Sequence, residues 1–408
     1  MRRADRLVRI HAMELKATST RASLFPDVNV GDSYRAPARA ATPPADRPVF
    51  LEFFAGSGLV AQGLKNVFRP VWANDNCAKK ADVYAHNHGP RYFHLDSIAN
   101  VKGKHLPTAD MAWASFPCQD LSLAGLLSGI DGKRSGLVWE WLRVIDETRH
   151  RPPVLVAENV VGLLSADNGS HYRTLHAALV SRGYRVGAMV LDAERWVPQS
   201  RPRVFVVAVD ERVKLPAGLL SDGPTWAQPD IVCKVADGLE KWVWWKMPEP
   251  SRRKVSLSDI IEWDAPFSDP VSDKRNIALL SERHAEKLRQ VSEHRHFAAP
   301  GYKRTRDGKQ VLELRFDSIA GCLRTPSGGS SRQLLVIAEG KRVHSRLLTA
   351  RETARLMGAP DSYWLPQAYN DAYKAMGDAV AAPVARWLGK KLLEPLAIAS
   401  RIHVRSKT

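Results

Sequence analysis

The 408-residue chain predicts a doubly wound α/β sheet joined to a second, smaller unit of irregular structure. Two observations lead there. From Pro48 to Asp210, short apolar runs alternate with stretches of helical spacing, the pattern of buried parallel strands linked by crossover helices. After Asp210 the alternation stops, and the chain is long enough for two units.

The elements follow in order. VFLEFF (49–54) is almost continuously apolar and ends at AGSG, a buried strand entering a tight turn. LVAQGLKNVF has helical spacing. VWAND (71–75) and ADMAWASF (109–116) read as strands, LVWEWLRVIDET as a helix, and PVLVAENV (153–160) as a strand. SHYRTLHAALVSRG is a helix stopped by Gly183, and RVFVVAVD (203–210) a further strand. Residues 211–345 carry scattered Pro and Gly, one helical stretch (SDKRNIALLSERHAEKLRQVSEH) and the cluster WVWW (242–245), which suits a core better than a base-stacking surface. In LTARETARLMG, Thr349 and Glu352 have the spacing of a capping box. Helical signals continue through NDAYKAMGDAVAAPVARWLGKKLL.

Residues 47–210 and 346–408 are thus expected to form one unit, with 211–345 as the second. Residues 1–46 are expected to be a basic arm. Its Arg-rich start resembles a transit peptide, but acidic residues recur without a cleavage pattern, and Met13 would serve equally as a start.

Sixty Lys and Arg stand against 43 Asp and Glu, a net charge of +17 that points to a polyanionic partner, nucleic acid before membrane surface. No apolar run reaches the length of a membrane span. Cys77, Cys118, Cys233 and Cys322 lie far apart without metal-site spacing, which argues against a disulfide scaffold or zinc site and for a reducing compartment.

The glycine turn in EFFAGSG would expose main-chain N–H groups at a helix start, where nucleoside or anionic ligands bind. Asp75, at the end of WAND, stands where a ribose hydroxyl acceptor is usual, and Asp96 of HLDS could accept from an adenine amino group. Cys118 in SFPCQDLS can be read as a small buried hydrophobe or as a nucleophile. It follows a strand at the sheet edge where α/β proteins place their sites, and a loop with four glycines comes after it. Glu158 ends another strand at that edge. Alternation in PQSRPR points Gln199, Arg201 and Arg203 to one face, where two arginines could hold a phosphate and a base carbonyl.

FAGSG, ND, LDS, FPCQDLS, RSGLVWEWLRV, ENV, QSRPR, RETARLMGAP and GDAVAAPVA occur in one order that resembles the bacterial DNA cytosine-5 methyltransferases. The resemblance implies a Rossmann-like S-adenosylmethionine methyltransferase sheet, with residues 211–345 in the place of the target-recognition domain. It implies Cys118 as the nucleophile, Glu158 as the contact to the target base and Arg203 as a base and active-site contact. Gln199 and Arg201 become supports. Phe54, Ala55, Gly56, Ser57, Gly58, Leu59, Asp75, Asp96, Pro117, Leu137, Asp378 and Ala379 fall at positions around S-adenosylmethionine.

DNA contact is implied for Gln119, Ser122 and Arg134 behind the nucleophile, and for Arg324, Ser327, Gly328, Gly329 and Arg332 in RTPSGGSSRQ. Two positions depart from the pattern: Asp378, where the family often has Asn, and Asn76, where it often has an aromatic or apolar residue. The implied partners are double-stranded DNA and a cognate restriction endonuclease encoded nearby, unless the enzyme is an orphan. The protein is expected to be a cytoplasmic, nucleoid-associated monomer with no metal. A transfer-RNA methyltransferase on the same core would lack most of the recognition region, and a non-catalytic DNA-binding relative would lack Cys118, Glu158 or FAGSG.

Overall fold

A computed structural model of the chain describes residues 47–117, 136–292, 296–324, 332–340 and 342–405; the expected basic arm lies outside them. Strands β1 (Val49–Phe53), β2 (Arg69–Asp75), β3 (Phe93–Leu95), β4 (Met111–Ala114), β5 (Val154–Val160), β6 (Tyr184–Asp192) and β7 (Pro202–Asp210) form one sheet. Their order is β3-β2-β1-β4-β5-β7-β6. β3, β2, β1, β4 and β5 run parallel, and β7 is antiparallel to both β5 and β6. The order reverses between β1 and β4, which opens a crevice beyond the carboxyl ends of those strands.

Both faces of the sheet are covered, so the strands are apolar at successive positions. Phe50, Val156, Phe205 and Val207 lie in the core on one face, with α1 (Leu59–Leu64), α2 (Ala78–His88) and helices from the end of the chain. Leu51, Leu155, Val204 and Val206 lie in the other, with α3 (Leu137–Glu147), α4 (Gly162–Ser165) and α5 (Ser170–Val180). Burying each such side chain contributes roughly 1.5–3 kcal/mol.

Strand β6 was not among the expected elements, and Gly187 in its middle explains why. A Cβ there would stand 2.1 Å from the Val243 carbonyl oxygen and 2.6 Å from Trp245 Nε1. The bare backbone makes room for WVWW, whose Val243 N–H donates to the Val186 carbonyl at 2.9 Å. Trp245 is wholly buried and Trp242 stacks on His176 at 5.8 Å, so the tryptophans belong to the core.

Helix α6 (Asp230–Ala236) buries Val232 and Val235 in that same region. Val213, Ala227, Leu257 and Ile260 join the opposite core, so residues 213–260, inside the span expected for the second unit, pack on the first sheet.

The expectation of an irregular second core is corrected by a regular antiparallel sheet. β8 (Phe297–Arg306), β9 (Lys309–Leu314), β10 (Leu334–Glu339) and β11 (Arg342–Leu347) pair in the order β11-β10-β8-β9. Ala299, Leu312 and Val336 pack there with Leu288. The single expected helix before it is two, α7 (Pro270–Ile277) and α8 (Glu282–Ser292). Between them the Leu279 carbonyl accepts from Leu312 N–H at 2.8 Å, a sheet contact that takes the place of a helical one.

The chain then returns to the first sheet through α9 (Ala350–Leu356), α10 (Tyr369–Gly377), α11 (Ala382–Leu388) and α12 (Glu394–Arg405). Thr349 Oγ1 accepts from Glu352 N–H at 3.0 Å, and Glu352 Oε2 accepts from Thr349 N–H at 2.7 Å, completing the capping box. Among the described residues, no helix is long and apolar enough to cross a membrane.

Candidate active site

The glycine turn leaves β1 with an unusual backbone. Phe54, Gly56 and Gly58 have φ of +56°, +54° and +82°. A non-glycine residue at positive φ is strained, and such residues persist where the surroundings enforce them. Here Ala55 N–H donates to the Asn74 carbonyl at 2.8 Å and Ser57 Oγ donates to the Ala375 carbonyl at 2.7 Å. Tyr363 Oη donates to the Ser57 carbonyl from the same side.

The Asp75 carboxylate at the end of β2 accepts from Gly56 N–H and Cys77 N–H, each at 2.9 Å. Asn74 donates to the His94 and Asp96 carbonyls at 2.9 and 2.8 Å, holding Asp96 beside it.

Ser115, Phe116 and Pro117 follow β4 at the adjacent sheet edge. Asn159 Nδ2 donates to the Phe116 carbonyl at 2.9 Å, so the ENV segment fixes the backbone just before Pro117. Glu158 is buried, with Arg203 Nε 3.3 Å from its Oε1. Burial raises the Glu158 pKa above the ordinary carboxyl range, against the opposing charges of Arg203 and Arg201 and the Ser115 hydroxyl.

Arg201 lines the same cavity as Arg203 and Gln199 does not, and both Gln199 and Arg201 are committed to the main chain. Arg201 donates to the carbonyls of Leu323 at 2.9 Å, Gly377 at 2.9 Å and Ala379 at 2.7 Å. Gln199 donates to the Leu356 carbonyl at 2.8 Å and accepts from Leu323 N–H at 3.0 Å. The Arg201 guanidinium is pushed down to about 10, first by burial and then by Arg203. Of the two arginines expected to hold substrate, Arg203 alone pairs with Glu158; Arg201 ties three segments together.

These residues enclose a cavity of about 920 Å³. Phe54, Ala55, Gly56, Ser57, Leu59, Asp75 and Asp96 line one side. Pro117, Leu137, Glu158, Arg201 and Arg203 line another, and Arg324, Asp378 and Ala379 complete it.

Three expected residues stand elsewhere. Gly58 faces away, toward the rings of His88 and Tyr84. Gln199 is buried behind the wall, and Arg332 donates to Asn370 at 2.5 Å beside Tyr369. Cys118, Gln119, Ser122, Arg134, Ser327, Gly328 and Gly329 lie outside the described residues.

The sequence reading did not single out Cys322, which approaches Arg201 Nη1 at 3.2 Å, nor Lys80 and Lys374, which line the cavity. Cys322 arrives because Ala320 pairs with Gln199 from 121 positions away, a link without local signal. Among the described residues, no cluster of His, Cys, Asp and Glu could hold a metal ion.

The family model for C-5 cytosine-specific DNA methylase matches residues 49–394. The chain belongs to that family. The methylase is 26% identical over 350 residues to the Type II methyltransferase M.Bsp6I of Bacillus sp. (strain RFL6), covering 84% of this chain and 98% of the relative. It is 28% identical over 368 residues to M.HpaII of Haemophilus parainfluenzae, covering 85% and 89%. In fold it is similar to the crystal structure of S. pombe Dnmt2 methyltransferase, with a TM-score of 0.53 at 18% identity, over 84% of this chain and 97% of that one. It is therefore a DNA (cytosine-5) methyltransferase, with DNA as the substrate the family implies.

Proposed function

We propose that the methylase uses Cys118 as its nucleophile on a cytosine flipped out of duplex DNA, with S-adenosylmethionine in the cavity above the glycine turn. The observation that carries this reading is the buried Glu158–Arg203 pair, which lines the same cavity as the glycine turn and Pro117, the residue directly before Cys118. The donor set suits the cofactor. Carboxylates at Asp75 and Asp96 can accept from ribose hydroxyls and an adenine amino group, and Gly56 leaves the turn without a side chain on the cavity side. When bound, S-adenosylmethionine supplies an electrophilic methyl group.

The chain's own groups would do the rest. The Cys118 thiolate adds to carbon 6 of the ring, which makes carbon 5 nucleophilic enough to take the methyl. Glu158, whose pKa burial raises, can give a proton to the ring nitrogen as charge develops there, and Arg203 stabilises the resulting carboxylate. The ring nitrogen returns its proton to Glu158 once the methyl is in place, and a water-borne base removes the carbon 5 proton as the thiolate departs with its electron pair.

Base flipping is needed because the ring edge cannot be reached inside the helix, at a few kcal/mol. In this reading the excess positive charge supplies phosphate contacts, and the antiparallel sheet and Arg324 read the sequence. In this reading the methylase is a cytoplasmic monomer working beside a cognate endonuclease or as an orphan.

Purified protein, methyl-labelled S-adenosylmethionine and mixed-sequence duplex DNA test the reading. Label should enter DNA and not transfer RNA, and Cys118→Ala should abolish incorporation while DNA binding persists. No label in any DNA, or full turnover by Cys118→Ala, would reject it. Glu158→Gln should lower kcat by roughly 10²–10⁴-fold, the usual worth of a positioned acid. Bisulfite sequencing of methylated DNA would give the target sequence.

A further inference from the structure

Asp378 departs from the residue usual at its position, and the structure shows what accompanies the departure. Lys80 Nζ on α2 meets Asp378 Oδ2 beyond α10 at 2.6 Å, with side chains 16% and 26% exposed. Both residues line the large cavity. The Lys80 stem crosses the glycine turn: a Cβ placed on Gly56 would lie 3.8 Å from Lys80 Cδ and 4.0 Å from Asp75 Oδ2. Burial disfavours the Lys80 charge, and Asp378 with Asp75 more than offsets it, so its pKa stands above the ordinary lysine value. The pair is a neutral bridge from α2 to the turn after α10, spanning the cofactor side of the cavity.

We propose that Lys80 and Asp378 are positioning residues whose mutual neutralisation sets the preference of this cavity for S-adenosylmethionine over its demethylated product. The inference rests on the cofactor reading of the cavity given above. The cofactor is a sulfonium and carries one more positive charge than the thioether product that must leave. A bare ammonium in the wall would repel the cofactor more than the product, and a bare carboxylate would attract it more. Paired at 2.6 Å, the two charges nearly cancel at the distance of a bound ligand. An asparagine at 378 beside Lys80 would leave the ammonium with only the weaker compensation of Asp75, which gives a physical reason for the acid.

The test is titration calorimetry of the full chain with S-adenosylmethionine and, separately, S-adenosylhomocysteine. Asp378→Asn should lower the ratio of cofactor to product affinity by about three- to tenfold, and Lys80→Met should raise it by a similar factor, since each bares one charge in a partly screened site. The double variant Lys80→Met/Asp378→Asn should return the ratio to that of the wild type, and Lys80→Arg should keep it.

Opposite signs in the two single variants are something a merely structural bridge would not produce. Equal loss of both ligands in every variant, or an unchanged ratio, overturns the proposal while leaving the cofactor reading intact. Wild-type protein that binds neither ligand overturns the cofactor reading, and this inference with it. If one single variant fails to fold, the double variant and the other single variant still fix the sign.

Discussion

Gly58 has a backbone that L side chains resist, at φ +82°, and a Cβ there would come within 2.6 Å of His88 Cδ2 and 2.8 Å of Tyr84 Cδ2. Gly58→Ala should therefore lower stability by about 2–4 kcal/mol in urea denaturation, from positive φ and crowding together. Gly56→Ala meets nothing closer than 3.8 Å, so it should cost only about 1–2 kcal/mol and register mainly as a higher KM for S-adenosylmethionine.

Beneath the turn, Glu52 is buried, and neither of its carboxyl oxygens has a hydrogen-bond partner among the described residues. Burial lifts its pKa from 4.5 to about 8, opposed by the nearby Ala61 N–H and aided by the Asp75 charge. The folded chain thus holds this proton more tightly than the unfolded chain. Its contribution is fully present below 4.5 and is lost as pH rises toward about 8. The loss is at most roughly 1.4 kcal/mol per pH unit, and Glu52→Gln should flatten the slope in denaturation curves taken across that range. FAGSG and Glu158 were legible in the sequence because glycine conformation and a carboxylate ending an apolar strand are local signals. Lys80 and Cys322 were not, because their meaning comes from partners 298 and 121 positions away.

At the level of elements, the join between the second sheet and α9 is a single carboxylate. Glu352 accepts from Arg346 Nη1 at 2.7 Å and Nη2 at 2.6 Å, and also from Glu262 N–H at 2.8 Å and Thr349 N–H at 2.7 Å. Both charged side chains are almost wholly buried. Glu352→Ala should destabilise the protein by about 3–5 kcal/mol, because it strands a buried guanidinium. Thr349→Ala removes the cap and the hydrogen bond that Thr349 Oγ1 donates to Glu262 Oε2 at 2.6 Å, and should cost about 1–2 kcal/mol in the same melts. The cap was visible from spacing alone, whereas Arg346, at the end of a strand, gave no sign of its partner. Strand β8 escaped notice for a different reason. FAAPGYKRTR places Pro300 and Gly301 mid-strand, both of which usually mark a break. In the fold the Pro300 carbonyl accepts from Arg315 N–H at 2.9 Å, and the strand continues.

Across the whole molecule, charge and connectivity matter most. With +17 in total, DNA affinity should fall steeply with salt. If six to ten phosphates are engaged, the loss between 50 and 200 mM salt should be about 10³–10⁵-fold by fluorescence anisotropy. A flat salt profile would deny the basic surface its role. Doubly wound topology was readable because apolar runs alternate with helices. The return of the chain after the second sheet was readable as helix and as part of the first unit, but not the carbonyls at Ala375, Gly377 and Ala379 that fasten it there.

That return has a consequence in time. Ser57 near the start of the fold is held by Ala375, and Arg201 is tied to Gly377 and Ala379, so the far wall of the cavity is made after every strand of the large sheet. A nascent chain released before Tyr369 has every strand of the large sheet yet lacks the surface that closes over the turn. Until Ala375 to Ala379 have emerged the glycine turn lacks its far wall, and a chain truncated before Tyr369 should show no binding of S-adenosylmethionine in calorimetry.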